Sequence, residues 1–239
     1  MRNNIKLIKI QVIQMNLSKL YIVSTPIGNY EDITLRAVRI LKEVDFIICE
    51  EFKEARRLLS HLKINKDLFS INEHNENENA DEIILKLVEG KSAALISDSG
   101  TPLFSDPGHL LVQLAIQNRI EVIPVPGASS ILSALVGSAI SFDKFYYYGW
   151  LSPKKDIRKK QILDLKKRKE VIVLMDTPYR LRTLLEDVAK LWSKNIPIVL
   201  AYELTNAKEK FYRGTCEEVF RLAVKENLKG EFVMIVNNK

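Results

Sequence analysis

From Leu20 onward, short runs rich in β-branched residues alternate with stretches in which apolar side chains recur at helical spacing. The runs 20–24 (LYIVS), 45–49 (DFIIC), 93–97 (AALIS) and 120–124 (IEVIP) read as strands, and 33–43, 53–63, 80–89 and 108–118 as helices. In the first helix Ile33, Ala37, Ile40 and Leu41 share a face behind Asp32, a residue suited to an N-cap. Continuously apolar strands separated by helices predict a parallel sheet covered on both faces. After a helix near 128–138 the texture changes. SFDKFYYYGW, EVIVLM, PIVLAYE, FYRG and GEFVMIV supply five further strands, two of them spaced closely enough for an antiparallel pair, and so a mixed sheet. The pattern predicts an α/β chain with an extension over 1–19, one domain over 20–140 and a second over 141–239. The stretch NEHNENENA at 72–80 reads as a polar loop, and no internal repeat is present.

Composition narrows the class. Of 239 residues, 46% are apolar and 28% charged, which excludes a disordered polymer or a collagen-like repeat. No apolar run approaches the ~20 residues that cross a bilayer, so no membrane association is expected. Two cysteines, Cys49 and Cys216, cannot build a disulfide framework and point to a reducing, cytoplasmic setting. Three histidines without an HExxH or CxxC pattern argue against a metal enzyme. Of the net charge of +6, Arg2, Lys6 and Lys9 contribute half without any acid among residues 1–14, so the remaining chain is only mildly basic. Those lysines also break the apolar run that a signal peptide needs. With Met15 just ahead of LYIVS, residues 1–14 read as a dispensable extension from an upstream start; an extra edge strand is the rival reading.

The nine glycines are unevenly placed. Gly28 lies in STPIGN, Gly100 and Gly108 in SDSGTPLFSDPG, and Gly127 in PVPGASS, each directly after an expected strand. Ligands of open α/β sheets bind beyond the carboxyl ends of the strands, so these three loops are expected to line one crevice. Glycine allows close backbone approach, while Asp98, Ser99, Thr101, Ser105, Asp106, Ser129 and Ser130 add hydrogen-bonding groups. Neither GxGxxG nor GxxxxGK[ST] occurs, which disfavours a standard dinucleotide site or a P-loop ATPase.

YIVSTPIGNYEDITLRA, ISDSGTPLFSDPG, PVPGASS, TPYR, AYELT, FYRGT and KGEFVMIV run in the order found in the tetrapyrrole-methylase-fold methyltransferases, over roughly 20–236. More narrowly, they resemble the branch that methylates a cytidine ribose 2′-hydroxyl in 16S, small-subunit ribosomal RNA. The resemblance implies a two-domain fold, S-adenosylmethionine in an interdomain cleft, and a homodimer. It implies that Asp98, Ser99, Gly100, Thr101 and Pro102, with Gly127, Ala128, Ser129 and Ser130, hold the methionine part of the cofactor. Met175 and Thr177 would approach from the second domain. Departures cluster elsewhere: the branch usually reads AEDTR where this chain has CEEFK, YESPHR where it has MDTPYR, and lysine at Asn206. The branch also commonly carries a C-terminal extension that helps grip RNA, whereas this chain ends at Lys239.

Methyl transfer to oxygen needs an in-line arrangement and a proton acceptor. Glu50 or Lys53, after the second strand, are the first candidates for the base; a lysine serves only if burial lowers its pKa. Asp176, Tyr179, Arg180, Glu203 and Thr205 follow strands of the second domain, and Arg180, Glu203 and Thr205 are expected to meet substrate. Residues 154–169 hold nine Lys or Arg against two Asp, so Lys154, Lys155 and Arg158 are expected to meet RNA phosphates. Tyr146, Tyr147, Tyr148 and Trp150 could stack on an unpaired base. His74 in HNENE reads as a loop residue. An rRNA 2′-O-methyltransferase is the leading expectation. A tetrapyrrole or other small-molecule methyltransferase, or a catalytically idle RNA-binding relative, stays open beside it.

Overall fold

The computed structural model describes residues 18–104 and 106–239. The 1–14 extension and Ser105 lie outside the described residues. Two compact units divide between Ser129 and Ser130.

The first unit has five strands, β1 Lys19–Val23, β2 Phe46–Cys49, β3 Asp67–Ser70, β4 Ala93–Ile96 and β5 Glu121–Val125, and four helices, α1 Leu35–Glu43, α2 Phe52–His61, α3 Glu76–Val88 and α4 His109–Gln117. The strands form one parallel sheet in the order β3-β2-β4-β1-β5. Alternation along each strand sends side chains to opposite faces. Phe46, Ile48 and Leu95 pack with Ile83, Leu87 and Leu111 of α3 and α4, while Ile47, Cys49 and Ile96 pack with Ile40, Leu41 and Leu59 of α1 and α2. The doubly covered parallel sheet expected from the apolar runs is therefore present.

Three local expectations are corrected. Thr34, not Asp32, caps α1, its hydroxyl accepting from the Ala37 amide at 3.1 Å. The strand DLFS is not among the expected elements, because four partly exposed residues carry neither alternation nor an apolar run. Helix α3 starts at Glu76, inside the stretch read as loop. Asn72 and Asn75 make the turn that launches it, each side-chain oxygen accepting a backbone N–H.

The second unit carries α5 Ser130–Gly137, β6 Phe145–Trp150, α6 Lys155–Leu165, β7 Val171–Asp176, α7 Leu181–Leu191, β8 Pro197–Tyr202, β9 Lys210–Thr215, α8 Cys216–Lys225 and β10 Phe232–Val236. Its sheet, β6-β7-β10-β8-β9, is mixed: β6 and β7 are parallel, and the other pairs antiparallel. Helices α6, α7 and α8 cover one face through Ile162, Leu184 and Val219. The other face meets α5, whose Ile131, Ala134 and Leu135 pack on Val173, Val199 and Ile235. That packing assigns α5 to the second unit and places the division about one helix earlier than the expected 140/141.

Candidate active site

In a parallel sheet every strand ends at the same edge. Glu50 follows β2, STPIGN follows β1, SDSGTP follows β4 and PGAS follows β5, so the glycine-bearing loops gather at the carboxyl edge of the first sheet.

Hydroxyl groups stitch the three loops together. The Thr101 hydroxyl donates to the Ala128 carbonyl at 3.0 Å and lies 3.0 Å from Ser24 Oγ, so one side chain joins all three. The Thr25 amide donates to the Gly100 carbonyl at 2.8 Å, and its hydroxyl to the Ser97 carbonyl at 2.9 Å. Ser97 Oγ accepts from the Ser99 amide at 3.1 Å, while Ser99 Oγ donates to the Ile27 carbonyl at 3.2 Å. Ser24, Thr25, Ser97, Gly100 and Pro102 are buried beneath this seam. At Gly127 a Cβ would stand 2.9 Å from Ser24 Cβ, closer than real side chains approach, so the PGAS backbone lies directly against STPIGN. Gly100 adopts φ +83°, where a side chain is strained.

Carboxylates gather at the same edge. Half-buried Glu50 has its pKa raised by desolvation and then by Asp98, Asp106, Glu51 and Glu73. Asp98 is also raised, first by desolvation and then by Glu51, Glu54 and Asp106, although the Glu51 amide, donating to its Oδ1 at 3.3 Å, pulls the other way. Neighbouring carboxylates that oppose one another's ionisation are stabilised by a cationic ligand. Lys53, by contrast, is exposed on the first turn of α2, outside the desolvated setting a lysine base requires. The first unit thus brings together Glu50, 98–102 and 127–129.

In the second unit β7 and β8 both flank β10, with Asp176 and Tyr202 opposite Phe232, and Trp150 of β6 pairs with Met175. The segments 151–154, 177–180 and 203–206 therefore share one edge of that sheet. Met175 is half-buried there, its sulfur accepting the Tyr147 hydroxyl at 3.7 Å. The Thr177 amide donates to Asp176 Oδ1 at 2.8 Å. Asp176 is buried, which raises its pKa against the Thr177 amide and Arg180; among the described residues its Oδ2 has no hydrogen-bonding partner.

Several expected substrate contacts are engaged within this unit. Arg158 was placed among the phosphate contacts, but it is only 6% exposed: its Nε donates to Asp187 at 2.7 Å, and its NH1 to the carbonyls of Ser152 and Pro153. Helix spacing puts Arg158 on the same face of α6 as Ile162 and Leu165, so it holds the 152–153 turn and cannot reach RNA. Arg180 pairs with Asp176 at 3.2 Å and donates to the carbonyls of Leu151 and Ser152. Glu203 accepts the Glu231 amide at 2.7 Å. Thr205, at φ +64°, donates its amide to Glu209 at 2.6 Å. Lys154 and Lys155 stay exposed, and Ser130 opens α5. The aromatic platform is also corrected: Tyr146 and Tyr148 pack on one core cluster and Tyr147 on the other, leaving Trp150 as the exposed ring.

One residue escaped sequence reasoning. Glu76, within HNE, accepts the amides of Gly108 and Leu110 at 3.0 and 2.9 Å, capping α4 and anchoring the far end of the 97–108 loop. The spacing from HNE to DPG carries no local signal of that contact.

The family model for tetrapyrrole (corrin/porphyrin) methylases matches residues 19–219. The chain belongs to that family. Among related methylases, "Ribosomal RNA small subunit methyltransferase I" of Halalkalibacterium halodurans is 40% identical over 91% of this chain and 75% of its own length. The Bacillus subtilis protein of the same name is 40% identical over 91% and 74%, and the Thermotoga maritima one 38% identical over 93% and 100%. Among solved methylases, a cobalt precorrin-4 methyltransferase superposes with TM-score 0.71 at 17% identity, covering 93% of this chain and 95% of that one. Uroporphyrin-III C-methyltransferase of Thermus thermophilus, complexed with S-adenosyl homocysteine, gives 0.66 at 17%, over 91% and 96%. At that identity the likeness shows the methylase fold. Among the described residues of this methylase no helix is long and apolar enough to cross a membrane, and no group of three or more His, Cys, Asp or Glu is placed to hold a metal.

Proposed function

We propose that this chain is an S-adenosylmethionine-dependent methyltransferase acting on a cytidine ribose 2′-hydroxyl of small-subunit ribosomal RNA. The observation that carries the reading is the continuous 38–40% identity, over more than nine tenths of the chain, to methyltransferases named for the small-subunit RNA. A site whose chemistry suits the cofactor supports it.

That cofactor presents an ammonium, a carboxylate and a sulfonium. The carboxylates of Asp98 and Glu50, both raised in pKa by burial and by neighbouring carboxylates, suit its cationic groups. The backbone of 98–102 and of 127–129, held by the Thr101 and Thr25 hydroxyls, suits its polar ends. In the second unit Met175 and Thr177 are the proposed cofactor contacts, and Lys154, Lys155 and Thr205 the proposed RNA contacts. When bound, the cofactor would supply an electrophilic methyl group, with its sulfur as the leaving atom that keeps the electron pair.

Glu50 is the proposed base. A half-buried carboxylate with a raised pKa is a stronger proton acceptor than a solvated one, and such a base contributes about 10²–10⁴-fold. The ribose hydroxyl proton passes to Glu50 as the new carbon–oxygen bond forms. The seam between the loops keeps the cofactor site in place, and orientation of this kind is worth up to ~7–11 kcal/mol. A cytoplasmic homodimer belongs to the same proposal. The test is methyl transfer from labelled S-adenosylmethionine, offered small ribosomal subunits in one reaction and uroporphyrinogen III in another. Label in subunit RNA alone is expected; label in the tetrapyrrole alone overturns the reading.

A further inference from the structure

The outer face of α2 carries features that neither the core nor the loop seam uses. Its inner face is apolar, through Ala55, Leu58 and Leu59. Between its outer face and the 3-10 turn Tyr30–Asp32 runs an open groove of about 810 Å³, lined by Tyr30, Phe52, Lys53, Arg56, Ser60 and His61, with Glu51 and the Glu54-paired Arg57 also on its wall. Across Phe52, Arg56 and Ser60 it continues into a second depression of about 580 Å³ that reaches Asn65, Lys66 and Asp67. The stretch of helix from Phe52 to Ser60 is about 12 Å long.

Three observations define the occupant. First, planar faces line the groove. Phe52 is 39% exposed at the start of α2 with the Arg56 guanidinium 5.5 Å above its ring, and the rings of Tyr30 and His61 stack with centroids 4.5 Å apart. Second, Lys53 and Arg56 have no carboxylate at ion-pair distance among the described residues, because the nearby Glu54 is held by Arg57 at 2.8 and 3.0 Å. Third, the groove opens from the proposed catalytic edge: Glu51, immediately before Phe52, donates its amide to Asp98, and Tyr30 closely follows STPIGN. Unneutralised cations beside accessible ring faces suit the phosphates and unstacked bases of single-stranded RNA, whereas a paired arm hides its base faces. The groove is too open to enclose a small ligand.

We propose that this groove holds an unpaired stretch of the substrate RNA flanking the methylated nucleotide, with phosphates against Lys53 and Arg56 and a base stacked on Phe52. The proposal rests on the reading of function given above. It gives the run CEEFK a role in binding: Phe52 and Lys53 grip the strand while Glu50 serves the chemistry.

The test uses the full chain and a labelled single-stranded oligoribonucleotide copied from the methylated region of small-subunit RNA, its dissociation constant measured across a salt series. Lys53→Ala/Arg56→Ala is expected to flatten the slope of log K against log salt by about 1.4, at about 0.7 per single-strand phosphate lost. Phe52→Ala is expected to bind about ten-fold or more weakly at every salt without changing the slope, and Phe52→Trp to restore binding. Both alanine variants keep the parent's affinity for S-adenosylhomocysteine, which reports an intact fold. Arg221→Ala/Lys225→Ala, on α8, removes the same charge and leaves the slope as it was. If the parent methylates small subunits while the groove variants bind and methylate as it does, the groove proposal falls and the reading of function stands. If the parent neither binds the oligonucleotide nor methylates subunits, the reading of function falls first. A change of oligomeric state in Lys53→Ala/Arg56→Ala on sedimentation would assign the groove to an interface between copies and overturn the proposal.

Discussion

Replacing Thr101 by valine keeps the shape of the side chain and removes the one hydroxyl that touches all three loops. Because that hydroxyl donates to the Ala128 carbonyl, it receives its second bond from Ser24, whose side chain is buried. Both bonds measure 3.0 Å. Each such bond is worth about 0.5–1.5 kcal/mol net, so the substitution should cost about 1–3 kcal/mol. For a chain of this size that lowers the melting temperature by several degrees, at about 2–4 °C per kcal/mol. If the seam orders the loops for the cofactor, part of that energy reappears in binding, and about 1.4 kcal/mol of it corresponds to ten-fold in affinity. Calorimetric titration with S-adenosylhomocysteine, beside a thermal melt, reads both quantities. Thr101→Ser, which keeps the hydroxyl, should bind as the parent does. A Thr101→Val protein that melts lower yet binds with parental affinity would refute the claim that the seam pre-orders the cofactor site.

Three further outcomes follow from the same structure. Glu50→Gln should slow transfer by about 10²–10⁴-fold, and the parent's rate should rise with pH through a pKa above the ordinary glutamate range, since the base must lose its proton. The raised pKa means the folded chain binds that proton more tightly than the unfolded one, so stability declines as pH rises from the ordinary value through the folded one. Urea unfolding should accordingly find Glu50→Gln more stable than the parent in neutral buffer, with the advantage shrinking in mildly acidic buffer. Arg158→Met leaves Asp187 without its buried partner and should cost about 3 kcal/mol in unfolding experiments. The salt dependence of RNA binding should not move, in contrast to a true phosphate contact. Glu76→Ala strips two amides at the start of α4 and should cost about 1–2 kcal/mol while weakening S-adenosylhomocysteine binding through the far end of the 97–108 loop.

The strands of the first sheet were legible because both faces are covered, which writes a continuous apolar run into β1, β2 and β4. β3 lies at the sheet edge with no buried residue, and its four residues carry no such run. Glycines placed directly after strands located the carboxyl-edge loops, since the edge follows from the direction of a parallel sheet. What holds those loops together was not legible: Thr101 reads as a polar loop residue, and its bond to Ala128 spans 27 positions. Charge was the poorest guide. Arg158 and Lys154 belong to one lysine-rich stretch, yet the phase of α6 buries the first and leaves the second in water. The position of Lys53 after a strand suggests a base, while the structure sets it in solvent beside Arg56 and an exposed ring. An N-cap moved by two residues at α1 and a helix that began four residues early at α3 have a shared cause. Asn, Asp and Thr all compete to start a helix, and local turns decide among them: Asp32 is taken up by the 3-10 turn Tyr30–Asp32, and Asn72 and Asn75 bond within their own turn.

The central claim is that the carboxyl-edge site serves methyl transfer to a ribose oxygen of small-subunit RNA. Its most direct test takes small subunits from cells lacking this gene, treats them with the protein and labelled S-adenosylmethionine, digests the RNA to nucleosides and locates the label by mass spectrometry. The account predicts label on the 2′-oxygen of a single cytidine, appearing about 10²–10⁴-fold more slowly when Glu50→Gln replaces the parent. Label on a base, or none in RNA from a protein that binds S-adenosylhomocysteine normally, would contradict it.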